Sequence, residues 1–221
     1  MKRGFTLIEL LVVIAILAAL AAIIFPVFNA ARRKGNSATC VSNLKQIGAS
    51  MSMYAENYND RFPYAVDPTD KYTPEIWNAY PEWQVQIPYM PMLHEVLQPY
   101  QKSKEIWKCP ADNGYKVEDF NDHVLYAMPT SYKKFGSSYV WRTEIAFRGI
   151  RFSTFKEGTK VNVLFDAAGH WHLGQRPIDP EDDYYSRIRR RESYVFNVLF
   201  GDMHVRQSTY AQVEEAWMQD L

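Results

Sequence analysis

The chain has 221 residues, with 25 Lys and Arg against 25 Asp and Glu, 47% hydrophobic and 15% aromatic residues. Neutral overall charge removes any case for general nucleic-acid binding by charge. The apolar fraction and the length allow a real core to be buried, which excludes a bare helical thread.

The first element is decided by charge placement. Lys2 and Arg3, the small Gly4 and one carboxylate, Glu9, precede an uncharged apolar run over residues 10–28. That run is long enough to cross a bilayer as a helix, and it is the only such segment in the sequence. A removable signal peptide reads Lys2 and Arg3 as its basic region, residues 10–17 as its apolar region and Ala19-x-Ala21 as its cleavage site. Glu9 argues against this, because an ionised carboxylate in hydrocarbon costs roughly 2.5–3.5 kcal/mol on insertion scales. The apolar run also continues past the cleavage site. A plain single-span anchor has no use for Glu9 either.

The string Lys2-Arg3-Gly4-Phe5-Thr6-Leu7-Ile8-Glu9-Leu10-Leu11 resembles the N-terminal signal of type IV pilins and type II secretion pseudopilins. The resemblance implies that a membrane prepilin peptidase cuts after Gly4 and methylates the new N-terminus at Phe5. It makes Glu9 the assembly carboxylate and matches Pro26 to a proline carried late in this segment. The physical logic stands beside it. Cleavage leaves a cationic amine at Phe5, methylation preserves the charge, and pairing it with Glu9 of a neighbouring subunit offsets the cost of burying each charge alone. Orientation with the N-terminus in the cytoplasm rests on the resemblance, since Arg32-Arg33-Lys34 after the span gives the positive-inside count the opposite sign. That cluster is placed to meet anionic headgroups.

Pro26 removes a backbone donor and is expected to kink or loosen the helix. Beyond Gly35, Val41, Leu44, Gly48, Met51, Ala55 and Tyr58 recur at alternating spacings of three and four, an apolar stripe that predicts a helix lying against a globular domain. Asn57-Tyr58-Asn59-Asp60 followed by Phe62-Pro63 ends it.

The stretch Cys40-Val41-Ser42-Asn43-Leu44-Lys45-Gln46-Ile47-Gly48, with Leu97-Gln98-Pro99-Tyr100 and Trp107-Lys108-Cys109-Pro110-Ala111-Asp112, resembles a bacterial pseudopilin-like subfamily. That subfamily is named for His, nine residues, then Asp-Gly near the C-terminus. Here Asp202 is in place, but Met203 stands where Gly is expected and Glu192 where the His is expected. Residues 64–92 and 170–192 have no counterpart in the resemblance.

Residues 63–100 are rich in Pro, Tyr and Trp and are read as an aromatic loop layer on the surface, either a contact face for sugar, cargo or a subunit, or a cover for the sheet. Thr73-Pro74-Glu75 predicts a capped short helix, and residues 91–97 another. Tyr139-Val140-Trp141, residues 161–165 and residues 194–200 read as strands. Gly201-Asp202 turns the last of these into a hairpin strand, Met203-His204-Val205-Arg206. Thr209 and Gln212 make a capping box for a closing helix over residues 210–218.

Cys40 and Cys109 are the only cysteines. A domain outside the cytoplasm favours a bridge between them, and two buried thiols are the alternative. His170, His172, Asp166 and the run Glu181-Asp182-Asp183 form the densest set of metal-ligand types, but His-x-His alone is a weak signal. The acidic run is expected to face Arg187, Arg189, Arg190 and Arg191. No cofactor is required; a structural calcium ion in a loop is left open without a placed ligand set.

The expected fold is α+β and type IV pilin-like, a long N-terminal helix packed on an antiparallel sheet with large loop insertions. Residues 1–4 are the leader, 5–31 the membrane and assembly segment, 32–60 the amphipathic half and 61–221 the globular domain. The expected function is a non-enzymatic subunit of a type IV pilus-like or type II secretion pseudopilus filament. Its partners are other pilins or pseudopilins, the prepilin peptidase and an inner-membrane assembly platform. It is a single-pass inner-membrane protein before assembly, with its globular domain outside the cytoplasm, and part of a periplasmic or extracellular filament afterwards. The competing reading is a membrane-anchored periplasmic enzyme or binding protein.

Overall fold

The computed structural model describes residues 7–221. Helix α1, Leu7–Asn57, runs through both Pro26 and Gly35. At about 1.5 Å per residue it is about 76 Å long. It stops where Asn59 and Asp60 adopt left-handed backbone, with φ of 53° and 63°. Asn and Asp tolerate that conformation better than most residues, and the Asp60 amide donates to the Ala55 carbonyl at 2.9 Å, closing the helix end.

Four strands follow, β1 (Tyr139–Trp141), β2 (Asn162–Asp166), β3 (Val195–Phe200) and β4 (Val205–Thr209), joined antiparallel in that order. The α+β architecture with a long apolar N-terminal helix ahead of an antiparallel sheet is consistent with the pilin fold. Side chains alternate along β3. Leu199 joins Cys40, Leu44, Ile47 and Met51 of α1, while Phe196, Val198 and Phe200 join Val213 and Ala216 of the closing helix. The sheet is therefore covered on both faces, which accounts for the nearly unbroken apolar run of β3.

Several expectations shift in detail. In the helical stripe, Leu44, Gly48, Met51 and Ala55 are buried, but Val41 is half-buried and Tyr58 exposed because the chain leaves the sheet there. The β3–β4 turn extends through Met203, so the hairpin strand begins at Val205 and not at Met203. The closing helix α8, Tyr210–Trp217, starts on the expected Thr209–Gln212 capping box.

Between α1 and the sheet lie short helices α2 (Pro68–Tyr72), α3 (Pro81–Gln84), α4 (Leu93–Val96) and α5 (Ser131–Phe135); α6 (Glu144–Phe147) follows β1. Pro74 opens a 3-10 turn as expected, but Thr73 does not cap it; its hydroxyl donates to the Thr69 carbonyl at 2.6 Å. The aromatic region is more than a surface layer. Val66, Ile87, Met90 and Met92 bury with Ala146 in a small core of their own. Trp83 stacks on Phe147 at 5.3 Å and Trp77 meets the same ring edge-on at 5.1 Å, so these aromatics cover α6. Helix α7, Tyr184–Glu192, lies in a stretch where the sequence pattern predicts no element.

Candidate functional site

Of the residues assigned to processing, Gly4 and Phe5 lie outside the described residues. Glu9 stands in the first turn of α1, where a carboxylate complements the positive end of the helix dipole. The apolar stretch behind it is unburied: Leu10 is 56% exposed and Phe25 65%. The best 18-residue window of this helix has a mean hydropathy of 3.1 and none of it is buried. Residues 10–28 span roughly 29 Å as a helix, close to the hydrocarbon thickness of a bilayer. An apolar surface this large on a helix calls for lipid or a partner. Pro26 sits late in this exposed stretch, inside the continuous helix.

The second half of α1 is fixed to the domain by specific contacts. Cys40 and Cys109 form a disulfide, with Cα atoms 5.2 Å apart. Asn43 donates to the Lys108 carbonyl at 2.9 Å, and Ser37 donates to Asn197 Oδ1 at 3.2 Å. At Gly48 a Cβ would stand 3.0 Å from Leu199 Cδ1 and 3.2 Å from Met203 Sδ, so glycine lets α1 approach β3 closely.

Beneath this seam lie two buried histidine–carboxylate pairs. They place the two histidines of the His-x-His run against different partners. His170 Nδ1 is 2.8 Å from Asp119 Oδ2, and its Nε2 is 3.2 Å from Asn113 Oδ1. His172 Nε2 is 2.8 Å from Asp166 Oδ2, which also accepts from the Asn197 backbone amide at 2.6 Å and side-chain amide at 2.9 Å. Burial disfavours the imidazolium of His172, but the Asp166 charge and hydrogen bond outweigh it and raise its pKa. Of the expected ligand set, then, only His172 and Asp166 come together. Asp183 caps α7 through the Ser186 amide at 3.1 Å. Asp182 meets Arg190 at 2.7 Å, while Arg187 and Arg191 turn to Asp122 at 3.4 and 2.9 Å. The acidic run therefore meets the arginine cluster in part, and Asp122 takes the rest.

Sequence reasoning missed Asp119 and Asn197 as partners. Asn197 does leave a signal, a lone amide inside an otherwise apolar strand. It also missed a buried acidic group, Asp67, Asp70 and Glu118. Asp70 accepts from Trp77 Nε1 at 2.6 Å, Asp67 accepts from the Asp70 amide at 2.8 Å, and Thr69 donates to Glu118. Burial raises all three pKa values, that of Asp70 to about 6 and that of Glu118 to about 7, the neighbouring charges of Asp70 and Asp119 adding to the effect at Glu118.

At the altered C-terminal motif, Met203 has φ of +68°. This is the left-handed region that favours glycine, at the position where the resemblance expects Gly. Glu192, in the place of the expected His, is exposed at the end of α7.

Residues 1–25 match the family model described as the prokaryotic N-terminal methylation motif. The match spans Gly4, Phe5 and Glu9 and runs into the exposed half of α1. It supports a prepilin-like type IV pilin or pseudopilin, and points to a structural subunit and not an enzyme. With the long apolar helix, it suggests a single-pass membrane-anchored protein. No curated protein and no solved structure matches the chain.

Proposed function

We propose that this chain is a filament subunit, of a type IV pilus-like fibre or a type II secretion pseudopilus. It is cut after Gly4 and methylated on Phe5 by prepilin peptidase, and assembled by burying α1 among the same helices of neighbouring subunits on an inner-membrane platform. The observation that carries this reading is the methylation motif placed directly ahead of an unburied apolar helix whose first turn holds Glu9. Glu9 pairs with the Phe5 amine of an adjacent subunit, and because the pair forms between subunits it sets their axial stagger. The Cys40–Cys109 disulfide supports a globular domain outside the cytoplasm. The left-handed Met203 at a glycine position supports the pseudopilin-like subfamily with the Asp-Gly motif. The reading needs no cofactor.

The test is Glu9→Ala in cells. Processing at Gly4 persists, since the peptidase acts before assembly, while the yield of sheared surface fibres falls at least tenfold. N-terminal sequencing of those fibres finds methylated Phe5. Native protein that is monomeric and still begins at Met1 would contradict the proposal and favour a permanently anchored periplasmic protein.

A further inference from the structure

Four polar side chains converge where α1 crosses the sheet, each delivered by a different piece of the chain. Cys40 comes from α1, Cys109 from the loop after residue 107, Asp166 from the end of β2 and His172 from the turn that follows it. One ligand-type atom from each lies within 4.8 Å of every other, and all four residues are buried. His172 Nε2 is 3.9 Å from Cys109 Sγ.

Two polar atoms of this group have no hydrogen-bond partner among the described residues, Asp166 Oδ1 and His172 Nδ1. Asp166 and His172 are 0% and 3% exposed. Buried polar atoms are nearly always paired, so these two are ligand capacity that the bridged form leaves unused. The donor types narrow the choice. Two sulfurs, an imidazole and a carboxylate suit a thiophilic divalent ion in tetrahedral coordination, not a hard oxygen-seeking one. Asn197, which holds Asp166 through both its amides, supplies the outer hydrogen bonds that fix such a ligand.

Disulfide sulfurs do not serve as thiolate ligands, so the metal and the bridge exclude one another. We propose that the reduced chain binds one thiophilic divalent cation of the Zn2+ class through Cys40, Cys109, His172 and Asp166, and that the disulfide is the alternative occupant of the same site. Tetrahedral zinc spaces its donor atoms roughly 3.3–3.8 Å apart. The ligand atoms, which lie within 4.8 Å of one another, must close by up to about 1 Å, a shift that side-chain rotation can supply once the bridge is open. Thiols are needed first. A phosphine reductant and one water convert the disulfide to two thiols and a phosphine oxide, and metal binding then releases the two thiol protons to solvent. In the reverse direction, a disulfide oxidant takes two electrons from the metal-bound thiolates and two protons from solvent, becomes two thiols, and frees the cation as the Cys40–Cys109 bond forms. The metal-bound form thus belongs to chains that have not yet met an oxidant, and it holds α1 against the domain through the same two cysteines.

The test uses the full chain in detergent micelles, reduced with a phosphine under argon and titrated with Co2+ as the spectroscopic probe. The expected result is one Co2+ per chain with a thiolate-to-metal charge-transfer band, displaced by Zn2+, and no band from the oxidised chain. His172→Ala, which keeps both cysteines, weakens binding at least tenfold. Near-ultraviolet circular dichroism reports whether the reduced chain keeps its packing. A folded reduced chain without the band overturns the proposal. So does a band equally strong in His172→Ala, whether the chain is folded or not, because that marks adventitious thiol binding. Neither result bears on filament assembly, which rests on Glu9.

Discussion

The two halves of α1 are one continuous helix held by opposite means. From residue 7 to about residue 36 almost every apolar side chain is exposed, and the domain buries none of the apolar window. From Ser37 onward the helix is bridged, hydrogen-bonded and packed tightly on β3. The difference teaches that the chain carries two separate stability problems. The domain solves its own through burial, whereas the exposed half finds no cover in its own chain; on the proposed function that cover is lipid before assembly and other copies afterwards.

The largest effect comes from cutting the covalent tie of the lower half. A bridge closing a loop of this length constrains the unfolded chain by about 4 kcal/mol on the entropic model. The double substitution Cys40→Ser/Cys109→Ser therefore lowers domain stability by up to that amount. Urea unfolding followed through the buried Trp107 and Trp141 measures it, and far-ultraviolet signal from the membrane half stays behind in the micelle after the domain melts. A midpoint within a few tenths molar of the parent would show that packing alone holds the lower half.

Acidity separates the halves next. Residues 10–31 contain no titratable side chain, so the span has no pH response of its own in the neutral range. The domain does. With folded-state pKa values raised to about 7 at Glu118 and about 6 at Asp70, the native state holds protons that the unfolded chain has released. Their stabilising contribution is complete below the unfolded pKa values near 4 and is lost as pH rises through 6 to 7. The melting temperature of the domain accordingly falls between pH 4.5 and 7.5 by several degrees, the scale of a few kcal/mol. Glu118→Gln flattens that slope. Thermal scans at closely spaced pH values decide the matter, and a slope unchanged by Glu118→Gln removes this carboxyl as its source.

How much of this was legible follows the same division. The exposed half could be read because Glu9 is costly in an apolar run and Lys2, Arg3 and Gly4 precede it, a pattern that needs no tertiary information. Strands β1 and β3 and the α8 cap could be read because β-branched and aromatic runs of strand length and the Thr209–Gln212 box are local signals. Helix α7 could not, since Tyr184–Glu192 buries none of its residues and is held by Arg190 on Asp182 and by Arg187 and Arg191 on the distant Asp122. The His-x-His run was visible, but two residues in a turn after β2 have no fixed period. Only the fold sends His170 to Asp119 and His172 to Asp166. Asp67, Asp70 and Glu118 were invisible because their burial depends on how the long loops close.

The smallest effect sits at the seam itself. Met203 holds left-handed backbone at a cost of roughly 1–2 kcal/mol for a residue with a Cβ, and its sulfur packs over Gly48 in partial return. Comparing Met203→Gly with the parent mixes those terms and gives a change near zero. Comparing Met203→Gly with Met203→Ala does not, because both lose the sulfur contact and only alanine keeps the strained Cβ. Glycine is then the more stable of the two by about 1 kcal/mol, after its greater unfolded-state entropy is set against the strain it relieves. Equilibrium unfolding of the two variants in parallel measures the gap. Alanine equal to or better than glycine would mean that the turn relaxes around the side chain, and that the lower half of α1 docks on a pliable seam.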